Sequence, residues 1–399
     1  MRIAYIAPYQ GPGLLKVRPS MLNLGLAANV KMEMVAELLQ ANGHEIEFFS
    51  QGEVVERKFK FYPGFEEPTK FHPDIPTKYA SALPIRFING FWSTFWTLRL
   101  FKQRHENAPF DLVIIYNLKQ AQTACALSAM RMSLPVILEY EDDALVDLDG
   151  KEVTGVHYMG QMKEVLSKVD GCIGVSPHIL TRVPKTVPQI LLRGVVSENV
   201  RQLPKTPTTE RKKWVVFSGT HSVAKGLEPL VHAWMKLDLP GWELHIGGQG
   251  QKTKLLEKMA ETNKSIVFHG LLNREQNANL LGQAAIGINP HDVSKTPGNV
   301  FAFKIIEYLA AGTHVITTHM GELEPELEVG ITYMPDNSTE TIARTLQRVI
   351  QEKEYVRTAT DAARERYGPS YVAESLNRLV DQVSRQYVQG EIASAAVNR

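Results

Sequence analysis

The chain has little cysteine and almost no net charge. Its 399 residues include two cysteines, Cys125 and Cys172, which lie in apolar surroundings without the spacing of a metal or redox site. We therefore expect buried thiols in a reducing compartment. The formal net charge is +1, which gives no global electrostatic reason for the chain to bind nucleic acid.

Long apolar runs are also missing. No stretch approaches the ~20 apolar residues that a membrane-spanning helix requires. The first residues, Met1 to Pro8, indicate a strand, because their apolar run is too short for a signal peptide. The composition, 44% hydrophobic and 22% charged residues, is typical of a soluble globular protein. We expect a cytoplasmic protein long enough for two ordinary domains.

The first half of the chain alternates strands with helices. This alternation predicts an α/β fold with a parallel sheet and right-handed crossovers. A Pro-rich stretch, residues 58–78, is interpreted as a long irregular loop. The expected strands are 2–7, 43–49, 111–116, 135–140 and 171–175, with helices at 29–40 and 121–132 and a helix start at Ser176.

The alternation restarts after a polar stretch rich in Pro, Thr and Lys. We predict a domain at 1–196, a linker at 197–213 and a second domain at 214–368. The two would be Rossmann-like domains facing each other across a cleft. Ligands in such folds bind outside the carboxyl ends of the strands. The strands expected in the second domain are 214–217, 242–246, 265–268, 285–288 and 315–317.

The run from Lys304 to Thr318 is the most informative segment. It reads as an amphipathic helix ending at Gly312, followed by a buried strand. The loop before it would place backbone N–H groups at a helix start near Phe301, which is a ready anion site. Glu307, about one turn further along, could accept hydrogen bonds from ribose hydroxyls. Phosphate plus ribose indicates a nucleotide-sugar donor, while the alternative is a solvent-facing Glu307.

This segment resembles the donor-binding helix of retaining glycosyltransferases of the GT-B fold, family 4 type (glycosyl transferases group 1). The family pattern is a Glu, seven residues and a second Glu that precedes "YLAAG.PVI". Glu307 matches the second Glu, whereas Asn299 stands at the first. The resemblance also implies a C-terminal helix, within residues 369–399, that crosses back to the N-terminal domain, with a frayed end after Gln389.

A second resemblance lies in the run from Ser218 to Gly226. It is similar to the family loop "G-R-x-x-x-x-K-G", whose Arg and Lys neutralise the donor diphosphate. Gly219 and Lys225 match, and Thr220 replaces the Arg. His221 or Lys304 could supply the missing charge. The alternative for Lys225 is a solvated lysine at a helix start.

The resemblance assigns further residues to the donor. Backbone groups would hold the phosphates and the nucleobase, and side chains would contact the transferred sugar. Asn299 would meet that sugar through an amide, and we expect Glu307, Lys225 and Asn299 to act in catalysis. The other donor-side candidates are Gly248, Gly270, Leu271, His291, Val300, Phe301 and Lys304.

Acceptor-side candidates lie after strands of the first domain. A glycine loop could close over the transferred sugar or form a plain turn. A tyrosine occupies the place where relatives often carry a His. Carboxylates after the strand at 135–140 could orient or deprotonate an acceptor hydroxyl, or form a solvated loop. These residues are Gly11, Gly13, Tyr116, Asn117, Glu141 and Asp142. Asp147-Leu148-Asp149 looks like a D-x-D metal site but is interpreted as loop.

Residues 86–102 are rich in aromatic side chains. Their helical spacing favours core packing. The alternatives are a hydrophobic acceptor groove and a face for peripheral contact with the inner membrane surface.

The resemblance implies transfer of a hexose-type sugar from a nucleotide-diphosphate sugar to a hydroxyl of a saccharide, lipid-linked or small-molecule acceptor. It implies retention of configuration and neither a metal nor a cofactor beyond the donor. Two alternatives stay open. One is a sugar-nucleotide epimerase, and the other is a non-catalytic nucleotide-binding scaffold, which the departures at Thr220, Asn299 and Tyr116 favour.

Overall fold

The chain forms two compact units, described here from a computed structural model. The first unit holds the described residues up to Val195 together with those from Val372 onward, and the second is Val196–Tyr371. The structure describes residues 1–18, 26–52, 54, 59–70, 72–85, 88–146, 151–295 and 301–397.

The described part of the first unit contains an eight-stranded sheet in the order β3-β4-β2-β1-β5-β6-β7-β8. All neighbouring strands are parallel except the antiparallel pair β3 and β4. The order reverses direction between β1 and β5. The strands are β1 (Arg2–Ile6), β2 (Glu45–Ser50), β3 (Phe65–Pro68), β4 (Pro76–Tyr79), β5 (Leu112–Tyr116), β6 (Val136–Tyr140), β7 (Gly171–Gly174) and β8 (Gln189–Leu191).

Strands β3 and β4 correct the prediction of an irregular loop at 58–78. They form an antiparallel pair in which Pro68 lies opposite Pro76 at the end next to the connecting loop, and β4 continues the sheet beside β2. Proline is tolerated here because the pair lies at the sheet edge. The side chains of Thr77 and Tyr79 are buried, but strands of four residues are too short to show this alternation clearly in the sequence.

The second unit contains a six-stranded parallel sheet in the order β11-β10-β9-β12-β13-β14. The order reverses between β9 and β12, and ligands of doubly wound folds bind at such a point, outside the carboxyl ends of the strands. The strands are β9 (Lys212–Ser218), β10 (Glu243–Gly247), β11 (Ile266–Gly270), β12 (Ala284–Asn289), β13 (His314–Thr318) and β14 (Ile331–Met334).

Helices connect the strands of both units. Within the described residues, none is both long and apolar enough to cross a membrane. They are α1 (Leu14–Val17), α2 (Leu26–Ala41), α3 (Asn89–Asn107), α4 (Gln120–Arg131), α5 (Met159–Lys168), α6 (Pro177–Leu180), α7 (Glu198–Arg201), α8 (Leu227–Lys236), α9 (Thr253–Ala260), α10 (Arg274–Gln283), α11 (Lys304–Ala311), α12 (Pro325–Glu328), α13 (Thr339–Gln351), α14 (Thr360–Arg366) and α15 (Pro369–Val397).

The stretch predicted as a linker, 197–213, has local structure of its own. It carries helix α7, a 3-10 turn at Thr208–Glu210 and the start of β9. The guanidinium of Arg211 is buried and donates to backbone carbonyls of the second unit, among them Ala284 and Ala311. The segment therefore packs against the second sheet, although its polar composition indicates a linker.

Helix α15 begins in the second unit, and its residues from Val372 onward belong to the first. The side chains of Leu376, Leu379 and Val383 are buried in the same cluster as Ile3 of β1. The helix runs to Val397, and the frayed end after Gln389 stays a prediction.

Helix α3 corrects the interpretation of residues 86–102 as core. Phe101 is fully buried, but Phe91 is 59% and Phe95 is 55% exposed. The helix packs against α4 and buries the small side chains of Ser93 and Thr97, so the larger rings at neighbouring positions stay outside. Arg86 and Phe87 lie outside the described residues.

The cysteine prediction is confirmed in its structural part. Cys125 and Cys172 are both fully buried free thiols. Burial raises the pKa of each to about 12, so neither forms a reactive thiolate near neutral pH.

The packing of α15 predicts a stability difference between neighbouring positions. Leu379→Ala should lower the free energy of unfolding by about 2–5 kcal/mol, because it leaves a cavity in the hydrophobic core of the first unit. Arg378→Ala is the control, because it removes only an exposed i,i+4 ion pair with Glu374 worth about 0.5 kcal/mol. Denaturant titration measures both, and equal effects would show that α15 does not share the core.

Candidate functional site

The loops after β9 and β12 are packed together at the reversal point of the second sheet. Gly226 follows the 3-10 turn Val223–Lys225 with φ +67°, and a Cβ there would overlap the carbonyl oxygen of Pro290. The backbone N–H of Asp292 donates to the carbonyl of Ala224 at 2.8 Å. Glycine at 226 therefore allows the turn that carries Lys225 to approach the loop after β12.

Lys304, the first residue of α11, carries a buried ammonium group. Its Nζ lies 3.8 Å from the ring centroid of Phe217 and has no hydrogen-bond partner among the described residues. A Cβ at Gly219 would lie 2.5 Å from this Nζ. Burial, and then the charge of Lys225, hold the pKa of Lys304 well below its usual value, while Glu307 opposes this shift.

His291 connects the two lysines electrostatically. It is 2% exposed and its carbonyl accepts from the Thr318 hydroxyl at 2.8 Å. Burial, followed by the charges of Lys225 and Lys304, lowers the pKa of His291 to about 3. The imidazole is therefore neutral, and the turn after β9, the loop after β12 and the start of α11 meet at one place.

Glu307 lies one turn along α11 and is half-buried. Burial raises its pKa to about 7, against the opposing charges of Lys304 and Arg274. The sequence prediction missed Arg274. It is the first residue of α10 and follows a capping box between Asn273 and Gln276. Its place directly after the loop that follows β11 was the available signal.

The start of α11 differs from its prediction. The helix begins at Lys304 instead of Phe301, because the first amides, of Ile305 and Ile306, donate to the carbonyls of Ala302 and Phe303 in a tighter turn. Phe301 is buried. Asn299 and Val300 lie outside the described residues. At the other end, Gly312 has φ +86°, which confirms the predicted helix end.

His221 has a structural environment that the sequence did not reveal. Its side chain is fully buried, and its ring nitrogens lie 2.9 Å from the Thr253 hydroxyl and 3.4 Å from the Gly247 carbonyl. Burial is the main cause that lowers its pKa. His221 thus anchors the loop after β9, whereas Thr220, where relatives carry an Arg, is exposed.

The loops after β10 and β11 complete this edge of the second sheet. Gly248 has φ +113°, and a Cβ there would overlap the carbonyl oxygen of Gly219. The N–H of Gly248 donates to the carbonyl of Gly270 at 2.7 Å. Leu271 is 60% exposed. The edge therefore offers a fixed backbone and one exposed apolar side chain beside it.

In the first unit, Asn117 holds the loop after β6. It has a left-handed φ of +55°, a strained conformation for a non-glycine residue. Its Oδ1 accepts from the backbone N–H groups of Glu141 at 2.7 Å and Asp142 at 3.1 Å. Its Nδ2 donates to the Asp142 carboxylate at 3.3 Å. Asn117 therefore fixes the two predicted acceptor-side carboxylates.

Glu141 belongs to a buried polar cluster that the sequence did not predict. Lys31 of α2 pairs with Glu141, lies 3.7 Å from Glu139 and donates to the Leu192 carbonyl at 2.9 Å. The Tyr5 hydroxyl donates to Glu139. Burial raises the pKa of Glu141 to about 7, against the opposing charge of Lys31. Glu141 can thus exchange a proton near neutral pH.

The glycine loop after β1 is held by the edge strands. The N–H of Gly11 donates to the Tyr79 hydroxyl at 2.7 Å, and the N–H of Gly13 donates to the Glu67 carboxylate at 2.6 Å. These hydrogen bonds hold the turn that contains Gly11 and Gly13. Tyr116, at the end of β5, is buried, and burial raises the pKa of its phenol.

The expectation that the protein needs no metal can be compared with the described residues only. Within the ranges given above, no group of three or more His, Cys, Asp or Glu side chains is placed to hold a metal ion. The D-x-D stretch, Asp147 to Asp149, lies outside those ranges.

Comparisons with known proteins agree with this architecture. Residues 212–352 match the family model described as "Glycosyl transferases group 1". No curated protein matches the sequence. Sucrose-phosphate synthase from Thermosynechococcus elongatus is similar in structure, with a TM-score of 0.65 and 18% identity over 96% of this chain and 99% of that one.

Two further solved structures extend the comparison. The Anabaena protein HepE in complex with UDP-glucose has a TM-score of 0.61 and 12% identity, over 96% of this chain and 99% of that one. A putative UDP-N-acetylglucosamine 2-epimerase from Listeria monocytogenes has a TM-score of 0.56 and 11% identity, over 97% of each chain. The chain therefore has the fold of the GT-B glycosyltransferases, and residues 212–352 are similar to the glycosyl transferases of group 1.

Proposed function

We propose that the protein is a retaining hexosyltransferase. It would move a hexose-type sugar from a nucleotide-diphosphate sugar to a hydroxyl of a saccharide, lipid-linked or small-molecule acceptor. We further propose that it needs neither a metal nor a cofactor beyond this donor. One observation carries the proposal: at the carboxyl edge of the second sheet the charges of Lys304 and Arg274 act on Glu307, and the charge of Lys225 acts on Lys304.

The buried ammonium of Lys304 supports a diphosphate at this place. An ammonium taken out of water without a hydrogen-bond partner costs free energy, and a diphosphate would supply the missing negative charge. As the sugar leaves, charge grows on the diphosphate, so the same cations stabilise the transition state more than the bound donor. Lys304 would thus replace the family Arg that is absent at Thr220.

Glu307 and Leu271 support the nucleoside part of the donor. In its ionised form Glu307 would accept hydrogen bonds from the ribose hydroxyls, and the exposed Leu271 side chain would contact the base beside the backbone of Gly270. We propose UDP as the nucleotide, since HepE has been solved with UDP-glucose. His291, neutral and buried, would contact the sugar. Asn299 would contact it as well, with an amide in place of the family carboxylate.

On the acceptor side, we propose Glu141 as the group that receives the proton of the attacking hydroxyl. Its raised pKa, its partner Lys31 and the loop held by Asn117 support this role. Asp142 is exposed and would orient the hydroxyl. We assign no protein nucleophile to the retaining reaction.

The likeness to a putative epimerase keeps one alternative in view. An epimerase returns the nucleotide sugar intact with one inverted carbon, whereas a transferase releases the nucleoside diphosphate. Incubation with UDP-glucose, followed by chromatography of the nucleotides, separates the two reactions. Intact, inverted nucleotide sugar without UDP would favour the epimerase, and no conversion by a protein that binds UDP-glucose would favour the scaffold.

Lys304→Met should lower kcat/KM for UDP release from UDP-glucose by roughly a hundredfold, because it removes a cation next to the leaving diphosphate. The methionine side chain keeps the apolar contact with Phe217. Lys236→Met, at an exposed position on α8, is the matched control and should leave kcat/KM unchanged. Equal activity of both variants would remove Lys304 from the site.

The affinity for UDP-glucose should rise with pH between pH 6 and 8. Glu307 has a pKa of about 7, so it is mostly protonated at pH 6 and mostly ionised at pH 8, and only the ionised form accepts two ribose hydroxyls. The gain in affinity should be roughly tenfold, measured by titration calorimetry. UDP-glucose is chosen because its diphosphate does not titrate in this range.

Two variants control this pH profile. Glu307→Gln should lose the rise, because an amide does not ionise. Lys304 has a lowered pKa, so its loss of charge would reduce affinity as pH rises, the opposite sign, and Lys304→Met should steepen the rise. His291, with a pKa of about 3, stays neutral throughout. A rise that persists in Glu307→Gln would contradict the assignment.

We also propose that the protein is cytoplasmic and contacts the inner membrane surface through helix α3. Ile88, Phe91 and Phe95 are 45–59% exposed, and the Arg99 guanidinium lies 5.5 Å from the ring of Trp96. An aromatic face beside a cation suits an anionic lipid surface. Double substitution of Phe91 and Phe95 by Ser should abolish flotation with phosphatidylglycerol vesicles. Leu255→Ser with Val356→Ser, at exposed positions of the second unit, should not, and equal flotation would contradict the contact.

A further inference from the structure

The second unit has a cavity of about 500 Å³ at the end of its sheet opposite to the donor residues. Two of its lining residues show this placement. Arg211 directly precedes β9, and Gly312 lies between α11 and β13. The strands of this sheet are parallel, so residues before them lie far from the loops at their carboxyl ends. The volume is in the range of small-molecule sites, roughly 300–1,000 Å³.

Arg211 gives the cavity an inward-facing cation. The residue is 9% exposed. Its guanidinium donates to the carbonyls of Thr206 at 2.9 Å and Ala311 at 2.9 Å and, among the described residues, forms no ion pair. Burial, and then the neighbouring charge of Arg364, lower its pKa to about 10, so it remains charged at neutral pH.

Arg364 adds a second guanidinium beside the first. Its Nε donates to the carbonyl of Ala310 at 2.7 Å, and its Nη2 is buried without a hydrogen-bond partner among the described residues. Both arginines thus bind carbonyls at the C-terminus of α11. The helix end carries only about half a negative charge, so it offsets two full positive charges in part.

The acidic side chains of the cavity are already paired. Asp361 lies 2.5 Å from the ammonium of Lys205, and Glu326 lies 3.3 Å from the guanidinium of Arg366. Asp361 also acts on the charge of Arg364, whereas Arg211 forms no ion pair with a carboxylate among the described residues. The cavity therefore favours an anion.

Hydroxyl groups near the Arg211 guanidinium indicate which kind of anion the cavity would bind. A Cβ at Gly312 would meet both an Nη of Arg211 and, at 3.3 Å, the hydroxyl oxygen of Thr360, so a cation and a hydroxyl converge on this glycine. Guanidinium forks and hydroxyl donors suit the oxygens of a phosphate. The threonines that line the cavity are Thr206, Thr208, Thr209, Thr358 and Thr360.

We propose that this cavity binds a small phosphate monoester, at a site separate from the donor site. Helix α11 links the two sites, because Lys304 and Glu307 lie in its first turn and Arg211 and Arg364 bind its last carbonyls. A bound phosphate that accepts hydrogen bonds from Arg211 would compete with the carbonyl of Ala311 at the end of α11. This is the same helix that carries Lys304 and Glu307.

The test is titration calorimetry of the full chain with glucose 6-phosphate, with glucose as the phosphate-free control. Glucose 6-phosphate should bind saturably and glucose should not. Lys205→Glu, which reverses a charge at the cavity rim, should weaken this binding roughly tenfold. Lys264→Glu, an exposed lysine elsewhere in the same unit, makes the same charge change and should have no effect.

Two further variants locate the bound phosphate. Lys225→Ala, on the donor side, should leave the affinity unchanged, whereas Arg211→Lys should reduce it at least as much as Lys205→Glu. A thermal melt checks that Arg211→Lys is folded, and Lys205→Glu decides the matter if it is not. Absence of binding to the folded protein would overturn the proposal. Binding lost in Lys225→Ala but kept in Lys205→Glu would also overturn it, because the phosphate would then occupy the donor site.

Discussion

The candidate site in the second unit depends on one buried ammonium group that has no hydrogen-bond partner in the described part of the chain. Lys304 lies on the ring of Phe217, beside a glycine whose missing Cβ leaves it room. Desolvation disfavours its charge, and Lys225 adds repulsion. In the proposed function, a ligand with two phosphates would relieve both penalties at once. The free energy lost by burying Lys304 would then favour a leaving diphosphate, on which negative charge increases during the reaction.

Helix α11 connects the surroundings of Lys304 with the opposite end of the second sheet. Its length of eight residues corresponds to about 12 Å, and it carries Lys304 and Glu307 at one end and the carbonyls bound by Arg211 and Arg364 at the other. Tyr308 fixes its rotation, because its hydroxyl accepts from the backbone N–H of Ser218 at 2.7 Å. Lys304 and Glu307 are thus positioned by β9, and Arg211 and Arg364 bind the far end of the same helix.

The sequence predicted the central strands of both sheets, because buried parallel strands form continuous apolar runs that periodicity detects. A local motif also indicated Lys225, Lys304 and Glu307 as candidates. The sequence could not find Arg274 or Lys31, because their contacts join elements distant in the chain. His221 was a candidate cation by position, yet its burial against Thr253 is a tertiary contact. Strands β3 and β4 were missed since short edge strands with proline carry little signal.

The most direct test of the account is donor binding, measured as thermal stabilisation by UDP-, GDP-, ADP- and dTDP-sugars. The account predicts stabilisation by UDP-sugars that is lost in both Lys304→Met and Glu307→Ala and retained in Lys236→Met. A well-folded protein that no nucleotide sugar stabilises would contradict it. Stabilisation that survives in Lys304→Met would equally show that the buried ammonium does not face the diphosphate.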